Sequence, residues 1–312
     1  MRIVAEHLSY TYNERSPFET AALHDVTLTI EEGEFFGIIG HTGSGKSTFV
    51  QHLNGLIRLP SSLKHAKKRK AKKGQPLPPA PVLKVGDFDL SDKKTDFRAL
   101  RRRVGMVFQY PEYQLFAETV RDDVAFGLKN FSEQKLTEEE VDCAVRAALE
   151  VVGLNFDELK DQSPFELSGG QKRRVAIAGV IVSRPEILIL DEPAAGLDPL
   201  GKKEILELLH RLHREWCKTV VIVSHDMDEI SENCTRAAVF SEGTVKYVLP
   251  PRELFRCTEE LTALGLDVPL TAKLCAALKA RGITIDCDFT TEDFADKVLA
   301  YAASHPKKEG DA

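Results

Sequence analysis

No apolar run in the 312-residue chain approaches the roughly 18 to 20 residues that span a bilayer as a helix, so no membrane-crossing helix is expected. Apolar runs such as residues 187–190 and 220–223 have the length of buried strands. An apolar secretory segment is also missing from the first residues, Met-Arg-Ile-Val-Ala-Glu-His, which leads to the expectation of a cytosolic chain. Six cysteines (Cys143, Cys217, Cys234, Cys257, Cys275 and Cys287) form no Cys-x-x-Cys pair and lack the histidine spacing of a zinc site. Reduced, packing thiols are expected instead of a disulfide framework or a structural metal. Basic charge is short: 42 Lys and Arg face 48 Asp and Glu, for a net charge of −6, and residues 61–73 hold seven of the basic side chains. The rest of the chain is therefore acidic, which disfavours broad nucleic-acid binding.

What the chain does have is Gly40-His41-Thr42-Gly43-Ser44-Gly45-Lys46-Ser47-Thr48, set between the apolar residues 35–39 and the apolar-periodic residues 49–56. The glycines let the backbone curl until successive N–H groups point at one anion, and the helix that follows adds its positive end. Lys46 is then placed to reach the β- and γ-phosphates of a nucleotide, and the Ser47 hydroxyl to ligate Mg²⁺. A second element, Ile187-Leu188-Ile189-Leu190-Asp191-Glu192, is an apolar strand ending in two carboxylates. Asp191 is the candidate to hold Mg²⁺ through water, and Glu192 to orient or deprotonate an attacking water.

A third element, Leu167-Ser168-Gly169-Gly170-Gln171, ends 20 residues before Asp191. Ser168 and the two glycines can cap a helix over residues 172–182 and offer bare N–H groups to an anion, a second phosphate-binding helix start in one chain. One nucleotide does not need two such sites from one molecule. A head-to-tail dimer is expected, in which each chain's Ser-Gly-Gly closes over ATP held by the other's phosphate loop.

The remaining pattern predicts the organisation. Apolar positions such as Leu23, Val26, Leu28 and Ile30 alternate with polar ones over residues 1–36, predicting antiparallel strands. Residues 61–81, basic and then rich in proline, cannot pack a core and predict a solvated insertion; attraction to anionic lipid headgroups or to nucleic acid stays an alternative. Thr137 and Glu140 predict a capping box, with Val141, Val145, Ala148, Leu149 and Val152 on one apolar face and Gly153 as the stop. Short apolar runs at 187–190 and 219–224 flank an amphipathic helix at 202–216, the alternation of an α/β core with a parallel sheet. A helical subdomain is expected at about 112–183. The tail, 251–312, reads as two or three amphipathic segments, with Leu270, Leu274 and Leu278 on one face, then Phe294, Val298 and Tyr301.

On these motifs residues 1–250 resemble the ATP-binding-cassette (ABC) ATPases. The resemblance implies a P-loop NTPase fold with a RecA-like core, an antiparallel β subdomain, an inserted helical subdomain and, here, a small C-terminal helical extension. It implies that Tyr12, in competition with Tyr10, stacks on adenine, and that Gln109 in Val107-Phe108-Gln109 joins the helical subdomain to the γ-phosphate and its Mg²⁺. It places Asp198 of Ala195-Gly196-Leu197-Asp198 in a loop that communicates across the dimer, and His225 of Val223-Ser224-His225-Asp226 against the γ-phosphate.

A narrower resemblance rests on Gly40-His41-Thr42-Gly43, Gln51-His52-Leu53-Asn54-Gly55-Leu56, Tyr110-Pro111-Glu112-Tyr113-Gln114-Leu115-Phe116 and residues 163–179. Together these look like the second ATPase subunit of energy-coupling factor transporters, importers of vitamins and some metal ions. Implied partners are a second, homologous ABC ATPase in a heterodimer, a transmembrane coupling protein docking beside residues 110–116, and exchangeable substrate-binding membrane proteins. The implied cofactors are ATP and Mg²⁺, the implied place is the cytoplasmic face of the cell membrane, and the tail would help the two ATPases stay together. Two departures are the 61–81 insertion and Ala194, where Thr is more usual. The alternatives are the ATPase of another ABC importer, or a soluble non-transport ABC ATPase; the latter would be expected to carry two cassettes or a long coiled-coil insertion, and neither is present.

Overall fold

A computed structural model describes residues 1–14, 16–59, 80–132 and 134–305. The expected basic insertion, apart from its last two positions, lies outside the described residues. The chain opens with two long strands, β1 (Ile3–Tyr12) and β2 (Thr20–Ile30), paired antiparallel with Ile3 opposite Ile30. The five-residue β3 (Phe35–Ile39) follows, then α1 (Lys46–Leu53), β4 (Val82–Val85) and β5 (Phe88–Asp89). β4 adds to the free side of β1, giving an antiparallel sheet of order β2-β1-β4-β5.

After α2 (Phe97–Arg103) and β6 (Val104–Val107) comes a helical region: α3 (Val120–Phe131), α4 (Glu138–Val151), α5 (Phe156–Leu159) and α6 (Gly169–Ile181). Its starts follow from local chemistry. Thr119 caps α3 through Asp122 N–H, Thr137 and Glu140 close a reciprocal capping box on α4, and Ser168 and Gln171 do the same on α6. The chain then returns through β7 (Ile187–Asp191), α7 (Pro199–Glu215), β8 (Thr219–Val223), α8 (Met227–Asn233), β9 (Arg236–Ser241) and β10 (Thr244–Leu249).

The second sheet has the order β10-β9-β3-β8-β7-β6, parallel from β9 through β6 with β10 antiparallel at the edge. Every residue of β3, β7 and β8 is buried, as expected of parallel strands covered on both faces. The two-residue period of a strand divides these side chains between two hydrophobic clusters. Phe35, Ile39, Leu188 and Leu190 pack with the helical region and α7, whereas Phe36, Ile38, Ile187 and Ile189 pack with α1 and the antiparallel sheet. The central sheet is thus clamped between helices and the first sheet. Because β3, β8, β7 and β6 all run the same way, the loops that follow them gather along one edge, where α/β sheets place their ligands.

Among the described residues four further helices follow: α9 (Pro251–Leu254), α10 (Thr258–Ala263), α11 (Leu270–Lys279) and α12 (Thr291–Ser304). Leu254, Phe255, Leu261, Val268 and Phe289 enter the same cluster as the helical region, so the tail shares the body's core. The Phe289 carbonyl accepts from Ser231 Oγ (2.8 Å) and Thr271 Oγ1 (2.7 Å), pinning the tail to α8. The burial within α11 differs from the apolar face read from the sequence: Thr271 and Ala272 are buried, while Leu270 and Leu274 are exposed. Small residues allow the close approach to Phe289 and α8, and the leucines are turned away from it. All six cysteines are free.

Candidate nucleotide site

β3 ends in the phosphate loop, where steric space explains Gly40 and Gly45 and a left-handed φ of 80° explains Gly43. A side chain at Gly45, which sits at φ 100°, would place Cβ 2.6 Å from the Ala22 carbonyl oxygen; one at Gly40 would lie 2.4 Å from the Phe240 carbonyl oxygen. Gly45 also begins α1 without any side-chain cap, which leaves the first N–H groups of that helix for an anion. His41, Thr42 and Gly43 are exposed at the loop's tip, and Ser44 is buried with its Oγ unpartnered. Lys46 is folded onto the loop itself, Nζ donating to the carbonyls of Gly40 (2.6 Å) and His41 (2.9 Å). Burial pulls its pKa down, while the carboxylates of Glu192 and Asp191 push it back up.

Asp191 closes β7. Burial raises its pKa, an effect opposed by a hydrogen bond from the Ser47 hydroxyl and reinforced by the neighbouring Glu192. Asp191 is thus a buried carboxylate that a cation would keep ionised. No cluster of three acidic, His or Cys side chains among the described residues could hold a metal alone. The hard-oxygen pair Ser47 and Asp191 nevertheless fits Mg²⁺, which is commonly held by one or two protein oxygens with phosphate oxygens and water completing the shell.

Glu192 stands one step beyond the strand at φ 53°, a left-handed backbone that costs a non-glycine residue on the order of 1–3 kcal/mol. Its own N–H donates to the Val223 carbonyl (2.9 Å), locking the ends of β7 and β8 together. Its carboxylate accepts from Gln109 Nε2 (2.8 Å) and meets His225 Nδ1 (3.1 Å). Residues from the ends of β6, β7 and β8 therefore converge on one carboxylate, beside a cavity of about 400 Å³ whose lining includes Gln109, Glu192, Ala195, Lys202 and His225. The structure places Gln109 on Glu192, and His225 is largely exposed beside them.

The two candidate aromatics separate. Tyr10 packs edge-on against His52 and the core beneath, whereas the Tyr12 hydroxyl reaches Thr48 Oγ1 (3.2 Å) at the end of the phosphate loop. Tyr12 is the ring at the loop.

The third motif lies elsewhere. Ser168, Gly169 and Gly170 are exposed, Ser168 and Gln171 spend their side chains on the reciprocal cap of α6, and a Cβ on either glycine would meet nothing within 4 Å. Among the described residues no hydrogen bond joins residues 168–171 to residues 40–48. Asp198, also exposed, caps α7 by accepting from Gly201 N–H (2.9 Å).

Sequence reasoning missed two connections. Buried Arg173 donates from Nη1 to the Ala195 carbonyl (2.8 Å), joining α6 to the loop before Asp198. Lys202 of α7 bonds Asp226 and Glu229 of the segment after β8. The available signals were a cation in the first turn of a helix, the end that disfavours positive charge, and the Asp226/Glu229 spacing of a helix start.

The ABC transporter family matches residues 23–195. The chain is 46% identical over 302 residues to the energy-coupling factor transporter ATP-binding protein EcfA2 of Caldanaerobacter subterraneus subsp. tengcongensis, covering 96% of this chain and 98% of the relative. It is 49% identical over 295 residues to the EcfA2 of Symbiobacterium thermophilum, covering 95% and 94%. Among solved structures it is similar to CbiO1 from Clostridium perfringens, described as part of the ABC transporter complex CbiONQ, with a TM-score of 0.66 and 35% identity over 87% of this chain and 97% of that one. It is also similar to the cassette MJ0796, solved as a dimer in a post-hydrolysis state with ADP and Pi, with a TM-score of 0.66 and 27% identity over 80% and 99%.

Proposed function

The chain belongs to the ABC transporter ATPases and, within them, to the energy-coupling factor transporter ATP-binding proteins, and from that premise we propose that it hydrolyses Mg-ATP at a cassette dimer interface to drive micronutrient uptake through membrane partners. ATP docks on residues 40–48 with Tyr12 against the adenine, and Lys46 exchanges its carbonyl partners for phosphate oxygens. Mg²⁺ would be held by Ser47 and Asp191, with Gln109 as a further candidate ligand, and would neutralise the charge that builds on the β- and γ-phosphates. Glu192 orients the attacking water and accepts its proton, held in place by Gln109 and His225 until nucleotide arrives.

The observation that carries the reading is the open space before Gly169 and Gly170. No described residue requires those glycines to lack side chains, which fits a surface kept clear for a neighbour. A second, homologous cassette supplies it, its nucleotide lying under Ser168, Gly169, Gly170, Gln171 and Asp198. The exposed leucines of α11 and Leu299 of α12, in which no residue is buried, face that same partner.

Toward the membrane, Tyr113, Phe116 and Phe126 are exposed, the Phe116 and Phe126 rings meeting edge to face at 4.7 Å and Tyr113 lying against Tyr110. Tyr113 and Phe116 follow Gln109 closely in sequence and Phe126 belongs to α3 of the helical region, so a coupling membrane protein docked there would feel the movement of that region. No described helix is long and apolar enough to cross a membrane, and the chain's place is the cytoplasmic face of such a complex. The test is purification of the tagged chain from detergent-solubilised membranes with mass spectrometry of what accompanies it. A second cassette, one coupling membrane protein and substoichiometric small membrane proteins are expected. Soluble partners alone would overturn the transport role while leaving ATP hydrolysis standing.

A further inference from the structure

We propose that Lys202 is a positioning residue: a strut that ties the Asp198 loop, facing the partner cassette, to the loop carrying His225, so that the two loops move as one. The proposal deepens the ATPase reading and rests on it.

Lys202 is bonded at both ends. Its main-chain N–H donates to the Asp198 carbonyl (2.9 Å), and its ammonium bonds the Asp226 carboxylate and Glu229 Oε1 (3.3 Å). The far end grips both neighbours of His225. Asp226 follows it directly; Ser224, which precedes it, donates from Oγ to Glu229 Oε2 (2.5 Å) and accepts from Asp226 N–H (3.0 Å). Asp226 also caps α8, accepting from the N–H groups of Asp228 (2.9 Å) and Glu229 (3.1 Å). An unbroken path therefore runs from Asp198 through Lys202 and Asp226 to His225 and on to Glu192.

Two features argue against an incidental surface pair. Glu229 is only 5% exposed, so its charge needs a permanent partner. Lys202 occupies the first turn of α7, where the helix dipole disfavours a cation, and a nearby acidic side chain would suit the helix better. The lysine is at odds with its own helix and matched to the His225 loop.

The full-length chain, in the complex in which it hydrolyses ATP, would be measured for kcat, KM for ATP and melting temperature as wild type, Lys202→Met, Lys202→Arg and the double variant Lys202→Met with Glu229→Gln. Loss of the strut is expected to lower kcat about fivefold or more with KM for ATP little changed, since it acts on a connection between sites rather than on nucleotide contacts. Lys202→Arg, which keeps the charge, restores most of kcat. The double variant removes the stranded carboxylate charge, so its melting temperature returns toward wild type while kcat stays low. Three results would overturn the strut: unchanged kcat in Lys202→Met, recovery of kcat together with stability in the double variant, or no rescue by Lys202→Arg. Each leaves the ATPase reading intact, because wild type still turns over. Absence of turnover in the wild-type complex would overturn both.

Discussion

Two glycine-rich helix starts in this molecule carry similar sequences and opposite surroundings. At the phosphate loop, backbone from Phe240 and Ala22 presses on Gly40 and Gly45, and Lys46 and Asp191 are buried behind it. At residues 168–170 the surface is open and a side chain would touch nothing. Glycine at 40 and 45 is demanded by this chain's own fold; at 169 and 170 no described residue demands it, and the proposed second cassette is what would. On the proposed reading one chain carries a finished half-site and an unfinished one, and two cassettes together would build a site neither contains alone.

The most severe way to sharpen that contrast is Glu192→Gln, which leaves both glycine regions untouched and removes the proton acceptor. Turnover by the assembled complex is expected to fall by about 10²- to 10⁴-fold, the usual worth of a general base. ATP should then hold the two cassettes together, read as a nucleotide-dependent shift in size-exclusion chromatography. Near-normal turnover would remove Glu192 from its assigned role.

The contrast itself breaks or survives on a pair of glycine variants. Gly45→Ala forces Cβ to 2.6 Å from a backbone oxygen at a left-handed φ, and should cost roughly 1–3 kcal/mol of stability, seen as a clear drop in melting temperature. Gly170→Ala should leave melting unchanged or raise it slightly, because alanine is worth up to about 1 kcal/mol over glycine in a helix. It should nonetheless depress ATPase activity of the complex. Full activity in Gly170→Ala would mean that no neighbour needs the space in front of α6.

Tyr12→Ala probes the finished half more gently. Loss of stacking on a base is worth about 1–3 kcal/mol, so KM for ATP should rise roughly 5- to 150-fold with GTP and ATP then discriminated less. Tyr10→Ala should instead lower stability through the lost packing on His52. An exchange of these two outcomes would reassign the rings.

The same two regions show what a sequence can and cannot disclose. β3, β7 and β8 were legible as unbroken apolar runs, and the Thr137/Glu140 cap was legible as a spacing, because each is written within a few consecutive residues. The Gln109–Glu192 bond spans 83 residues and the Lys202–Asp226 pair spans 24, and both depend on the strand order β3-β8-β7-β6, which local periodicity does not encode. α11 shows the limit from the other side. Its leucine spacing disclosed an apolar face, yet Thr271 and Ala272 are what the fold buries. Periodicity finds a face without saying which neighbour covers it.

The smallest effect tests how enclosed the phosphate-loop helix is. His52, 1% exposed on α1, bonds through Nδ1 to the Thr48 carbonyl (2.7 Å), while its Nε2 is buried without a partner. Burial holds its pKa below the ordinary value of about 6.5, against the smaller upward pull of that carbonyl. A depressed folded-state pKa means the unfolded chain takes the proton first. The stabilising contribution of neutral His52 is thus fully present above about pH 6.5, and it declines as pH falls below that value toward the folded-state pKa. Urea unfolding at pH 7.5 and 5.5 should show a stability loss in the wild type that shrinks in His52→Phe, whose ring fills the space beside Tyr10 and does not titrate. The other histidines contribute equally to both proteins and cancel in the difference. An identical loss in the variant would place His52 in contact with water, and the helix that presents the phosphate loop would then be less enclosed than its 1% exposure implies.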